Sequence, residues 1–357
     1  MKPQTSLPLP KNFIELNPYL DSLEKENLFS GVVYISQGND VLFEKAYGYT
    51  NCEKTERVKI ESRFFLASVT KMFTSVLTVK LFSKLNLSLK LSIAEILPEL
   101  VEKSKITVHH LLSHQSGLPY FDGLKGILSE NDRQKNIRGD LLFSPEEYIS
   151  LIKRMPLKFK PGHRQNYSSI NFILIGIILE KITGLTFAEL LNEHILIPLE
   201  LTNTGFVDSH SEKKLASGMR MNNGKCIEQR LIHQLTKAFH ASSSLYSNAR
   251  DLGKWRDAVF SGDFLSDTER NLIFSRHSKI RFYYYQNYGL MERVSLGPVI
   301  GGLFSRKHHY YEHIGMPPGY RACILTEVKN GNNIILLSNL GNGIDIKTLR
   351  DTILDIL

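Results

Sequence analysis

Phe64-Phe65-Leu66-Ala67-Ser68-Val69-Thr70-Lys71, continued by Met72-Phe73-Thr74-Ser75-Val76-Leu77-Thr78-Val79, puts a serine at the opening of an apolar run and a lysine three residues on. On a helix, positions i and i+3 share one face, so the lysine amine can reach the serine hydroxyl. The chemical reading of such a pair is a nucleophile with its own base. Spacing alone decides nothing, because Ser22 with Lys25, Ser150 with Lys153 and Ser211 with Lys214 repeat it. A capping serine beside a solvated lysine is the commoner meaning. What separates Ser68 from the other three is its surroundings.

Upstream, Ser30-Gly31-Val32-Val33-Tyr34-Ile35-Ser36, Gln37-Gly38-Asn39-Asp40 and Val41 to Tyr49 read as strand, turn and strand. Before that hairpin, Asn17-Pro18 offers a cap and a first-turn proline for a surface helix reaching about Asn27, with Leu20 and Leu23 on its apolar side. Downstream, residues 85–257 read as mainly helix and loop. Val108 to Pro119 reads as a short helix stopped by Gly117 and Pro119, 120–145 as a long polar loop or flap, and Pro145-Glu146-Glu147 opens a helix ending before Pro156. The Pro161-Gly162 turn leads through Tyr167 to the most apolar helix, Phe172 to Ile182, closed by Gly184. Another helix holds Trp255.

Strand-like alternation returns near Tyr283 and runs through Gly297–Leu303, Tyr310–His313, Tyr320–Thr326 and Asn333–Ser338, before an amphipathic helix over 344–357. Strands therefore begin and end the chain. The expected fold is α/β (α+β): an antiparallel sheet built from both termini (1–85 and 275–357), flanked by helices, with an inserted helical lobe (86–274) and a cleft between them forming one catalytic unit.

Net charge is +8, yet the lysines and arginines are scattered and the densest run, Arg306-Lys307-His308-His309, is short. No nucleic-acid footprint is expected. The apolar stretch Phe172–Leu179 is too short to span a bilayer, so no membrane insertion is expected. Cys52, Cys226 and Cys323 are odd in number, far apart and lack metal-ligand spacing, so neither a disulfide framework nor a zinc site is expected. The twelve histidines show no His-Glu-x-x-His arrangement, and no metal or other cofactor is expected. Met1 to Pro10 has no apolar run, which together with the cysteines suggests a soluble cytoplasmic protein.

Several blocks in order resemble the serine β-lactamase and penicillin-binding-protein family, in its class C β-lactamase and D-alanyl-D-alanine carboxypeptidase branch, which also contains esterases and acyltransferases. They are Ser30 to Val33, Ala67 to Lys71, Leu111 to Pro119, Pro161-Gly162 through Gly176, Leu245 to Trp255, Tyr288-Gly289-Leu290, His313-Ile314-Gly315 with Pro318-Gly319-Tyr320, and Leu337-Ser338-Asn339. The resemblance covers nearly all of 31–339 and implies roles. Ser68 would form an acyl-enzyme, and Lys71 would take its proton. Tyr167, in Tyr167-Ser168-Ser169, would match the tyrosine of the family's Tyr-x-Asn motif and act with Lys71 as general base and acid, Ser169 replacing the usual asparagine. A hydroxyl can still bond an acyl carbonyl, but it is shorter than an amide.

Tyr49-Thr50-Asn51, Tyr246-Ser247-Asn248 and Tyr285-Gln286-Asn287 are literal Tyr-x-Asn strings, and Tyr246 is the serious decoy. His313-Ile314-Gly315 matches the family's Lys/His-x-Gly strand, which implies an oxyanion hole from the backbone N–H groups of Ser68 and Met316. His313 would attract a substrate carboxylate only when protonated.

The leading expectation is a serine hydrolase or acyltransferase acting on a small ester or amide, with Ser169 and His313 leaning towards esters. A peptidase or β-lactamase-like amidase for D-amino-acid substrates is the alternative within the family. A binding protein that keeps the fold without the chemistry is the alternative outside it. The flap and Tyr283-Tyr284-Tyr285 are expected to shape the pocket.

Overall fold

β1 (Gly31–Gln37) and β2 (Asp40–Tyr47) form the expected hairpin. The computed structural model describes residues 7–120, 144–207, 211, 214–229, 240–281, 284–300 and 303–357. Most of the loop read at 120–145 therefore lies outside the described residues, as does Tyr283. Short strands follow in the middle of the chain: β3 (Phe64–Phe65), β4 (Gly205–Phe206), β5 (Gly218–Asn222), β6 (Lys225–Gln229) and β7 (Leu245–Ser247). Then come β8 (Ser278–Arg281), β9 (Tyr284–Gln286), β10 (Met291–Ile300), β11 (Leu303–Gly315), β12 (Arg321–Glu327) and β13 (Asn332–Ser338).

The main sheet has eight antiparallel strands in the order β2-β1-β13-β12-β11-β10-β9-β8. The pairing of β1 with β13 joins the two ends of the chain, with Gly31 opposite Ser338 and Gln37 opposite Asn332. β1 is buried on both faces, so its side chains divide between two cores. Val32 and Tyr34 join the larger core, while Val33 and Ile35 join a second one. The second core is covered by α1 (Leu16–Lys25) and the C-terminal helix Ile346–Ile356.

On the other face lie α2 (Thr70–Lys84), α3 (Val108–Leu112), α4 (Pro145–Arg154), α5 (Ser169–Thr183) and α6 (Ala249–Phe260). α6 packs on β1 and β13, with Trp255 fully buried. α2 and α5 are apolar or buried on nearly all sides, as helices inside a core must be. α5 stops at Gly184, whose φ of 74° supplies the left-handed cap. Ser144 and Glu147 box the start of α4.

Three expectations need correction. α1 begins before Asn17: Asn12 caps the turn that leads into it, accepting from the N–H groups of Ile14 (3.1 Å) and Glu15 (3.2 Å). Pro18 still falls in the first turn, where its missing N–H costs nothing. The region 85–257 is not only helix and loop, since β4, β5, β6 and β7 lie within it. The β5–β6 hairpin turns at Asn223-Gly224, both at positive φ (48° and 76°), the two-residue turn that matches strand twist.

Cys52 and Cys226, 174 residues apart, form a disulfide, which corrects the reading of the cysteines as unpaired. No local pattern signals it, because the bond ties the loop after β2 to β6 and only the folded chain brings the two together. Asn339 bridges the same two segments, its side-chain amide donating to the carbonyls of Tyr49 and Ser217 (both 3.0 Å). Cys323 remains free and buried.

Closing so long a loop restricts the unfolded chain, worth about 3 to 5 kcal/mol in the entropic account. Replacing both Cys52 and Cys226 by Ser is expected to lower stability by that order in denaturant unfolding. Non-reducing peptide mapping is expected to recover the two cysteine peptides joined. Free thiols at both positions in folded protein would contradict the pairing.

Candidate active site

Three short elements hold the serine. β3 pairs with β7, placing Phe65 opposite Tyr246, and the Leu66 N–H donates to the Leu245 carbonyl (2.8 Å). The chain then enters a tight turn, Ala67–Val69, that runs directly into α2. Ala67 sits at φ 45°, a left-handed conformation uncommon for a residue with a Cβ. Strain of this kind persists where the surroundings enforce it. The turn has no side-chain cap, so Ser68 is not acting as a helix cap.

Lys71, one turn on, is fully buried. Its Nζ donates to the Ser242 carbonyl (2.8 Å) and lies 3.3 Å from Ser68 Oγ. The faces of Tyr167 and Phe172 wall the amine, with ring centres 5.1 and 5.7 Å away. Burial pushes the lysine down from 10.5 to about 7. At neutral pH a large share of the amine is therefore uncharged, with a lone pair available to the Ser68 O–H.

Tyr167 approaches Ser68 from the mouth of α5, its phenol donating to Ser68 Oγ at 2.9 Å. Burial raises the phenol to about 12, against the opposing effect of the neighbouring Ser68 and Ser169 hydroxyls. Tyr167 is thus a neutral O–H donor in the resting site. The arrangement is self-consistent: Ser68 Oγ accepts from Tyr167 while its own hydrogen is free for neutral Lys71. Ser169, the first residue of α5, is buried two residues beyond Tyr167.

β11 closes the other side. A Cβ on Gly315 would lie 2.1 Å from the Leu66 carbonyl oxygen and 3.5 Å from the Ser68 nitrogen, so only glycine lets the strand pass this close. Met316 follows at the strand end with its side chain exposed. His313 is buried, and its Nδ1–H donates to the Gly289 carbonyl at 2.6 Å. Burial first, and the Lys71 charge second, drive its pKa down to about 3 against that bond. His313 is thus a neutral imidazole in the resting site.

Ser68, Lys71 and Tyr167 are hydrogen-bonded together, Ser169 is buried at the start of α5 beside them, and Gly315 lies against the Ser68 backbone. The decoy is elsewhere: Tyr246 lies on β7 between β3 and β4, its ring 5.7 Å from the Arg63 guanidinium. Tyr284 and Tyr285 lie on β9, two strands from β11 in the sheet order, with the Tyr284 phenol on the Met291 sulfur and Arg276 over the Tyr285 ring. Sequence reasoning missed the Ser242 carbonyl and His114, the latter buried with its ring 4.5 Å from that of Tyr167. A backbone carbonyl leaves no residue-type signal, and a histidine in a helix-exit turn reads as polar surface. Among the described residues no group of three or more His, Cys, Asp or Glu could hold a metal ion.

A protein-family model described as Beta-lactamase matches residues 20–355. The teichoic acid D-alanine hydrolase of Staphylococcus aureus is 23% identical over 328 residues, covering 91% of this chain and 77% of that protein. Among solved structures, EstCE1, a hydrolase with promiscuous acyltransferase activity, superposes with a TM-score of 0.76 at 17% identity, covering 96% of this chain and 99% of that one. The D-amino acid amidase from Ochrobactrum anthropi SV3 gives a TM-score of 0.75 at 19% identity, covering 96% and 97%.

Holding Lys71 dry costs stability. The penalty is absent above the ordinary value of 10.5 and grows as the pH falls to about 7, because the unfolded chain binds the extra proton across that window. At about 1.4 kcal/mol per pH unit, it reaches on the order of 4 kcal/mol near neutrality. Lys71→Met is therefore expected to unfold at a higher temperature than wild type near neutral pH, with the gain shrinking towards about pH 10. A gain independent of pH, or none, would mean that the amine is not held dry.

Proposed function

The chain belongs to the beta-lactamase family, and on that premise we propose that it is a serine hydrolase that cleaves a small ester or amide through an acyl-enzyme on Ser68. The observation that carries this reading is Ser68 Oγ held between Lys71 Nζ at 3.3 Å and the Tyr167 phenol at 2.9 Å, with burial bringing the amine to about 7. Neutral Lys71 accepts the Ser68 proton as Oγ attacks the carbonyl carbon. The developing oxyanion is met by the N–H groups of Ser68 and Met316, whose loss typically costs about 10² to 10³ in rate. Tyr167 passes a proton to the leaving oxygen or nitrogen and regains it from the Lys71 ammonium. Water, or another acyl acceptor, then resolves the acyl-enzyme by the reverse route.

His313 narrows the substrate. A neutral imidazole bonded through Nδ1 to Gly289 offers no fixed positive charge to a carboxylate next to the scissile bond. Neutral esters and amides fit better than peptides ending in a free carboxylate. Similarity to a D-alanine hydrolase and a D-amino acid amidase supports a D-aminoacyl group as one form of the acyl part. Peptidase activity on D-amino-acid substrates is the second reading, resting on the same two names. The contacts at Ser68 argue against a chain that only binds. The Cys52–Cys226 bond favours a compartment in which disulfides persist over the cytoplasmic setting suggested by composition.

A fluorophosphonate probe is expected to label Ser68 and to leave Ser68→Ala unlabelled, as read by peptide mass mapping. The labelling rate is expected to rise with pH through an apparent pKa of about 7, as Lys71 loses its proton. Turnover of a carboxylate-bearing substrate relative to its neutral amide is expected to stay flat down to about pH 5, since His313 remains neutral there. No label on wild type would sink the Ser68 reading, and a rise in that ratio on acidification would sink the assignment of His313.

A further inference from the structure

His114 has no part in the chemistry above, yet it is the most constrained imidazole near Ser68. It stands just past α3 at φ 55° and is 1% exposed. Its ring packs against Tyr167 (centres 4.5 Å apart) and Phe172 (5.3 Å). Its Nδ1 receives two donors, the Ser168 backbone N–H at 3.2 Å and the Asn171 side-chain amide at 3.1 Å. Asn171 is itself fixed by the Ser116 hydroxyl at 2.7 Å. The His114 carbonyl accepts from the Asn166 N–H at 2.9 Å, and the Ser168 hydroxyl donates to the Pro119 carbonyl at 2.7 Å. One residue thus grips the backbone on both sides of Tyr167 and stacks on its ring.

The donors also fix the state of the imidazole. Nδ1 can accept two N–H groups only if it carries no hydrogen, so the proton of the neutral ring sits on Nε2. Nε2 is buried and has no hydrogen-bond partner among the described residues. A protonated ring would have to break both contacts at Nδ1 and place a second cation near Lys71, and burial first, with the Lys71 charge, works against this. An unpartnered buried N–H is a cost for which packing alone gives no reason, since phenylalanine would fill similar space without it.

We propose that His114 is a positioning residue for Tyr167: its unprotonated Nδ1 holds the Ser168 N–H and its ring braces the phenol, so that the Tyr167 O–H stays aimed at Ser68 Oγ. This rests on the reading of Ser68 as the nucleophile. The effect on reactivity passes entirely through Tyr167, which separates it from a general contribution to folding.

The test is a double-mutant cycle on the rate of fluorophosphonate labelling of Ser68, with wild type, His114→Phe, Tyr167→Phe and the double variant. His114→Phe keeps the ring and loses the acceptor. It is expected to slow labelling at least about 30-fold in wild type and less than about 3-fold in the Tyr167→Phe background. His114→Asn, whose amide oxygen can replace Nδ1 as acceptor, is expected to restore the rate to within about tenfold of wild type. Equal costs in both backgrounds would overturn the proposal.

If His114→Phe does not fold, ¹⁵N NMR of the wild-type imidazoles serves instead. His114 is expected to show Nε2–H with bare Nδ1 from about pH 5 to 8, and a hydrogen on Nδ1 in that range would overturn the proposal. An unlabelled wild type removes the Ser68 reading and this one with it, whereas a labelled wild type with additive costs removes this one alone.

Discussion

The site depends on the desolvation of one amine. Lys71 has no exposure to solvent, and among the described residues its surroundings offer a carbonyl, a hydroxyl and two aromatic faces but no carboxylate within ion-pairing distance. A buried ammonium without a counter-ion is costly, so the proton leaves near neutrality rather than near 10.5. Everything packed around α2 serves this condition. α2 and α5 are buried on nearly all sides, and the segment from Ala241 to Ser247 supplies the Ser242 carbonyl, the β7 pairing with β3 and the acceptor for the Leu66 N–H. Thr70 and Thr74 tie α2 to the same segment, Thr70 accepting from the Leu245 N–H and Thr74 donating to the Ala241 carbonyl.

A second constraint is closeness of backbone to backbone. Gly315 brings β11 against Leu66 and Ser68, and Ala67 holds a left-handed turn just before the nucleophile. These two features bring β11 against the Ser68 backbone on one side, while Tyr167 and Phe172 wall Lys71 on the other. The main sheet makes this possible because it is built from both ends of the chain, with β1 beside β13 and β11 two strands further on.

Much of this was legible in the sequence. The 30–49 hairpin and the late strands follow from a period of two, and α2 and α5 from unbroken apolar runs of helical length, which burial imposes directly. The choice of Tyr167 over Tyr246 followed from the Pro161-Gly162 turn before an apolar helix, and the structure places the Tyr167 phenol, not Tyr246, on Ser68. What was not legible depends on long-range contact. The Cys52–Cys226 bond, the Ser242 carbonyl and the clamp by His114 join segments whose own residues say nothing of their partners. The Asn223-Gly224 turn was legible but was passed over in a region read as helical. Burial also changed the meaning of His313, which composition presents as a conditional cation and the structure keeps neutral.

The three groups nearest the chemistry thus share one electrostatic rule: Lys71 gives up its charge early, while His114 and His313 do not gain theirs. With Lys71 and His313 held neutral beside Ser68, a charged group brought there would leave water without gaining a partner, whereas a neutral one incurs no such cost. The most direct measurement is the titration of Lys71 itself, by NMR of the side chain labelled at Cε and Nζ and assigned with Lys71→Met. The account expects a midpoint at about 7. A midpoint at the ordinary lysine value of 10.5 would contradict it.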